Sequence, residues 1–333
     1  MDSRDYCINF KALLKPGIEC LQLYSQHGFD NAIIPDAFKE SLKCLVAFLE
    51  QKDIHLTCLV PFMDGNDTDN KIPDVKKEPI YTFLLAEHVF SQLIPGQGYF
   101  LDRHHFPKDL VTCPGKCSSR LEPHLDKPTG IGNGKVWHGY ADIWLDTNIP
   151  VSVVSDETED SAATVQMPAI KRKLQTDDVV IEVKQPFCKL IENDMVSQTV
   201  AQTIVNSFIQ STTGFIPTLC TTYGYLMIFM YDCKNDIFLM SSPKSPLKLF
   251  SDEDFIDIHI IYLWMILNYE VCFSKPSEIF LRFCKDNQLQ SKFPEKVEDK
   301  IEIYKQKLCK NVNSFTNVKE NWWPGVAPHR IPF

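Results

Sequence analysis

Residues 135–145, KVWHGYADIWL, alternate with the two-residue period of a β-strand and carry Asp142 beside their most apolar stretch. In one continuous strand, Val136, His138, Tyr140, Asp142 and Trp144 share a face, and Trp137, Ala141, Ile143 and Leu145 share the other. A second strand is expected at residues 178–184, DVVIEVK, with Asp178, Val180, Glu182 and Lys184 on one face and Val179, Ile181 and Val183 opposite. If the two strands are sheet neighbours, two carboxylates and one ammonium converge at a single point. Hard oxygen ligands with vacant positions are what magnesium or manganese requires.

The surrounding text is mixed. Residues 5–25 and 34–52 have helical periodicity, and residues 64–77 read as an exposed linker around a proline. Residues 78–94 predict a helix whose apolar face is marked by Ile80, Phe83, Leu84, Phe90 and Ile94, and Glu87 falls on that same face. A carboxylate there is costly unless a cation or a donor meets it. A short strand is expected at 99–101. Residues 151–176 have no Phe, Trp or Tyr and read as a mobile insertion, and 192–210 as a helix. Two β-rich runs, 219–231 and 236–240, flank a turn and predict a hairpin. Helix returns from residue 251 to about 273 and again over 294–311. The expected organisation is a helical region with linker over 1–76, an α/β core over 77–242, and a helical region over 243–333.

A helix with Glu, a strand, a strand with Asp, a strand with Glu-x-Lys, a helix with Gln and then further strands resembles the PD-(D/E)XK, or restriction-endonuclease-like, nuclease superfamily. The resemblance covers roughly residues 78–240. It implies an αβββαβ core with a mixed sheet, to which the N- and C-terminal helices are additions, and cleavage of phosphodiester bonds with Mg2+ or Mn2+. It assigns Asp142, Glu182 and the carbonyl of Val183 to the metal, with Glu87 as a helix-borne carboxylate, and Lys184 to the attacking water or the phosphoryl charge. Gln198 and Gln202, in SQTVAQTIVNSF, resemble the Gln that exonuclease-type and RecB-type members carry on the next helix. His138 and Tyr140 are expected to line the substrate channel. Two departures are visible: Ala141 stands where the motif has proline, and Asn206, not tyrosine, follows Gln202 by four residues.

Glu-x-Lys recurs at Glu50-Gln51-Lys52 and Glu298-Asp299-Lys300, but both lie on expected helices. Only the copy at Glu182 has a β-branched strand around it. A zinc site from Cys113, Cys117 and one of His104, His105 or His124 has loose spacing. Lys171-Arg172-Lys173 reads as solvated charge in a loop.

The chain has 34 basic and 43 acidic residues among 333, a formal charge of -9, so bulk charge does not draw it to nucleic acid. A nucleic-acid partner, DNA ahead of RNA, requires a local basic surface. The most apolar run, residues 258–267, is short of the roughly 20 residues a bilayer span needs, and no membrane partner is expected. Scattered cysteines and the absence of a signal-like start predict an intracellular protein, nuclear or cytoplasmic.

Overall fold

The computed structural model describes residues 12–29, 32–60, 77–102, 129–133, 135–153, 194–210, 214–222, 224–241, 246–251, 254–287 and 290–305. Three helices come first: α1 (Lys15–His27), α2 (Asp36–Glu50) and α3 (Lys52–Leu59). In α2, Phe38, Leu42, Leu45 and Phe48 recur at three- and four-residue spacing and are buried, and Asp36 suits the positive end of the helix dipole. The helix ends at Gln51, φ -114°, so the segment expected as one helix to residue 52 turns into α3 instead.

The helix expected at 78–94 is present as α4 (Lys77–Leu85), a π-helical turn (Ala86–Phe90) and a 3-10 turn (Ser91–Leu93). β1 (Tyr99–Leu101) follows. A separate two-stranded ribbon, β2 (Gly130–Asn133) and β3 (Trp137–Tyr140), precedes β4 (Ile143–Leu145) and β5 (Pro150–Val153). Then come α5 (Asp194–Gln210), β6 (Ile216–Thr221), β7 (Tyr225–Asp232), β8 (Ile237–Met240) and β9 (Leu247–Lys248). The chain closes with α6 (Asp257–Leu267), α7 (Tyr269–Cys272), α8 (Glu278–Asp286), α9 (Phe293–Lys296) and α10 (Ile301–Tyr304).

The protein is thus α/β with a mixed sheet. The strand order is β1-β4-β5-β6-β7-β8, with β9 on β7. Only β5 and β6 run parallel, and α5 belongs to the crossover between them. Opposite faces of the sheet bury different layers. Leu101, Ile143, Leu145, Val151, Val153, Leu219 and Ile228 join one apolar cluster with Phe38 and Leu42 of α2, Leu84 of α4 and Leu263 and Trp264 of α6. That cluster is continuous across residues 77 and 243. Phe100 and Trp144 instead pack with Ile131 and Val205, and Cys220, Met227 and Phe229 pack with Val196 and Val200, so this face lies under α5 and the ribbon.

Four expectations are corrected. The strand expected over 135–145 is two strands in two sheets. Ala141 N–H still bonds the ribbon, at the Thr129 carbonyl (3.2 Å), whereas Asp142 carbonyl already accepts from Asp102 N–H (2.9 Å) on the β1 side. The chain therefore changes sheet between residues 141 and 142, and the single-face assignment does not run through this bend. The first residues of the expected insertion, 151–153, are β5, buried on both faces, and such strands lack alternation. The run 219–231 is two antiparallel strands, β6 and β7, that reverse through Gly224 at φ 84°. The Lys- and Glu-rich segment from 294 forms short turns as far as Tyr304.

Candidate functional site

The site grows from the point where the chain leaves the ribbon for the sheet. Asp142 occupies that bend, half-buried, and its Oδ2 accepts from Val153 N–H at 2.7 Å. The register pairs Ile143 with Val151. Past the bend, the carboxylate serves as the ladder acceptor for β5, a charge-assisted bond that fixes its direction. On the other side of β4, the β1 register continues through the Asp102 N–H to Asp142 carbonyl bond, setting the two aspartates at opposite cross-strand positions. Asp102 is buried, at 4% exposure. The signal for Asp102 in the sequence was an acid ending the 99–101 strand, which spacing alone could not pair with Asp142.

The α5 face supplies the surroundings. Ser152 Oγ donates to Gln202 Oε1 (2.9 Å), and Gln202 Nε2 donates to the Tyr140 carbonyl (2.6 Å). Gln202, expected by resemblance together with Gln198 to contact a phosphate or the water shell of the metal, is fully buried with both ends of its amide engaged and braces the ribbon, β5 and α5. Gln198, half-buried one turn earlier, reaches the same carbonyl at 3.5 Å, a long and weak contact. Asn206 Nδ2 and Gln210 Nε2 both donate to the Asn148 carbonyl (3.2 and 2.9 Å). Amides at 198, 202, 206 and 210 thus form one row along α5, each four residues from the next, meeting the Tyr140 carbonyl at the bend and the Asn148 carbonyl at the β4–β5 turn.

Cys220, paired with Ser152 in the β5–β6 register, completes the wall. Burial pushes its thiol up to about 12, a Thr199 hydrogen bond opposes the rise, and the nearby negative Asp142 adds to it. The thiol is therefore neutral at physiological pH and is no nucleophile.

Glu87 Oε2 accepts from the Tyr99 hydroxyl at 2.7 Å, and Tyr99, on β1, packs at the edge of the apolar-face cluster. The structure thus gives Glu87 a donor partner on the neighbouring strand. His138 and Tyr140 lie on the exposed face of the ribbon, their rings edge to face with centroids 4.9 Å apart. Glu182, Val183 and Lys184 lie outside the described residues, as do Lys171-Arg172-Lys173 and the cysteines and histidines weighed for zinc between 104 and 124. Both flanks of β4 over residues 143–145 are taken by β1 and β5.

Among the described residues no group of three or more His, Cys, Asp or Glu is assembled to hold a metal ion. Asp102 and Asp142 stand at opposite cross-strand positions, and carboxylate oxygens of this kind suit Mg2+ or Mn2+ better than a soft metal. Two buried groups near the bend, Trp144 Nε1 and Thr129 Oγ1, have no hydrogen-bond partner.

Comparison with protein-family models, with curated proteins and with solved structures gives no match to this chain. No described helix is long and apolar enough to cross a membrane.

Proposed function

We propose that the chain is a divalent-metal-dependent nuclease built on a restriction-endonuclease-like αβββαβ core, hydrolysing nucleic-acid phosphodiester bonds, with DNA favoured over RNA. The observation that carries this reading is the position of Asp142. It opens β4, against the end of β5, in a described order of α4, β1, β4, β5, α5 and β6; β5 carries no Glu-x-Lys, and the strand expected to carry it, residues 178–184, lies outside the described residues.

In this reading Asp142, with Glu182 and the Val183 carbonyl from outside the described residues, holds the cation, and Asp102 stands opposite as a further carboxylate. A bound Mg2+ or Mn2+ supplies polarisation of a phosphoryl oxygen and a lower pKa for a coordinated water. Lys184 offsets charge on the phosphoryl group or orients the attacking water. Gln198, only weakly held, is available to a phosphate oxygen, whereas Gln202 acts through the Tyr140 carbonyl and Ser152 by fixing the bend that aims Asp142.

A specific observation favours a second reading, a catalytically silent nucleic-acid-binding or protein-interaction module on the same core. Ser152 stands on β5 next to Asp142 where a third acid would complete a site, and its hydroxyl and Asp142 Oδ2 are both satisfied within the protein. The test is cleavage of linear, circular and single-stranded DNA and of RNA with Mg2+ or Mn2+, comparing wild type with Glu182→Ala and Lys184→Ala. Metal-dependent cutting that both substitutions abolish is the expected result. No cutting in either metal would turn the conclusion to the silent module.

A further inference from the structure

The ribbon β2–β3 does not extend the main sheet; it is a separate two-stranded element whose two faces differ. On the inner face Ile131 and Trp137 pack toward Trp144 and Val205, with the Trp137 ring lying over Gly139. On the outer face the register sets Tyr140 opposite Gly130 and His138 opposite Gly132. Residues directly opposite in an antiparallel pair share a face, so within the ribbon each ring has a glycine across from it. At Gly132, φ is 93° and a Cβ would lie 2.2 Å from the Trp137 carbonyl oxygen, so no larger residue fits there.

The result is an exposed aromatic corner on a flat backing. Tyr140 is 42% exposed, His138 is exposed, and their rings meet at 87°. A planar heteroaromatic group can lie against one ring and present its edge to the other, the offset and edge-to-face geometries that ring quadrupoles favour. Lys135, exposed at the ribbon's turn, adds a cation for a phosphate. Asp142 follows Tyr140 by two residues, and the Tyr140 carbonyl is held by Gln202, so the corner is rigidly joined to the candidate site.

We infer that this corner stacks an unpaired base of a single-stranded nucleic acid, and that the substrate or ligand of the site is a strand with bases free, not an intact duplex. The paired bases of a duplex cannot reach two rings on a ribbon without leaving the stack. The inference rests on the nuclease reading for the class of ligand, but its test does not depend on cutting.

Binding of a fluorescent single-stranded DNA of about 12 nucleotides, a length within the span one small domain covers, is measured by anisotropy in Ca2+, which suppresses cleavage. Wild type is expected to prefer it to a blunt duplex of the same sequence. Tyr140→Ala is expected to weaken single-strand binding about ten-fold, the loss expected for one stacked base, with His138→Ala also weakening it and Tyr140→Phe near wild type. Thermal melts report whether each variant is folded, and exposed ring positions leave the core untouched. Equal binding of duplex and single strand by wild type, or wild-type binding by both alanine variants, overturns the inference. Displacement of the strand by thymidine monophosphate at equal nucleotide concentration also overturns it, since the ligand would then be a free nucleotide. Preferential single-strand binding lost in Tyr140→Ala, in a protein that cuts nothing, leaves the corner standing and counts against catalysis alone.

Discussion

The two faces of the sheet meet their covering helices through different chemistry. Against α2, α4 and α6 lies a layer of Leu101, Ile143, Val151, Leu219 and Ile228, closed by Trp264, whose indole N–H donates to the Ser41 carbonyl at 2.8 Å. Under α5 the helix buries Thr199, Gln202, Thr203, Asn206 and Ser207 completely, against Ser152, Thr218 and Cys220. The first interface gains from area removed from water, roughly 25 cal/mol per Å2, and tolerates no loss of volume. The second also packs Val196, Val200 and Val205, but it depends in addition on each donor finding its acceptor, as Ser207 Oγ finds the Tyr231 carbonyl and Gln202 finds both its partners. The difference teaches where function can sit. A polar interlayer can hold Asp142 in a fixed direction at its open end, whereas an apolar one would expel it.

Four outcomes sharpen or break this contrast. The largest belongs to the apolar face: Trp264→Ala should cost about 3–5 kcal/mol in denaturant unfolding, and a cost below about 1 kcal/mol would deny that this layer is the main core.

The next concerns a buried histidine pair beside that layer. His55 Nδ1 and His88 Nδ1 are 3.3 Å apart, both residues are buried, and Phe48 stacks on His55 with an interplanar angle of 4°. Burial, and then the neighbouring His88, lowers His55 from 6.5 to about 4. Between those values the unfolded chain binds a proton that the folded chain refuses. Stability is therefore whole at neutral pH, falls as pH drops from 6.5 toward 4, and by then has lost about 3 kcal/mol through this group. Urea melts across that range should lose this slope in His55→Leu, and an unchanged slope would sink the assignment.

On the polar face, Gln202→Leu keeps most of the volume but leaves Ser152 Oγ and the Tyr140 carbonyl without their partner, and should cost about 2 kcal/mol. Thr218 gives the opposite sign. Its hydroxyl is fully buried and has no partner, so Thr218→Val, of the same shape, should stabilise by about 1 kcal/mol. If both substitutions move stability in the same direction, hydrogen-bond satisfaction is not what governs the α5 interface.

Periodicity made the helices over 78–94 and 192–210 and the strand at 99–101 legible, because amphipathic patterns of that length survive without tertiary context. It failed where tertiary context decides. The bend at Ala141–Asp142 has no local breaker, and only the separate pairing of β3 with β2 and of β4 with β1 and β5 splits the run. β5 escaped notice because a strand buried on both faces has no alternation, and the polar residues after Val153 pulled it into an expected loop. The amide row on α5 was half legible. Gln198 and Gln202 stood out by resemblance, but their four-residue continuation through Asn206 and Gln210 was a structural signal, since buried amides at that spacing require carbonyls to meet. Glu87 shows the limit of a face argument: the helix carries it toward the sheet, and Tyr99 is what meets it.

Manganese titration of the full chain by calorimetry, with wild type beside Asp142→Asn, addresses the centre of the account most directly. The account predicts saturable binding by wild type that is lost in Asp142→Asn while its thermal melt shows a folded protein. Equal binding by both proteins, or none by wild type, would contradict a metal-dependent site at Asp142.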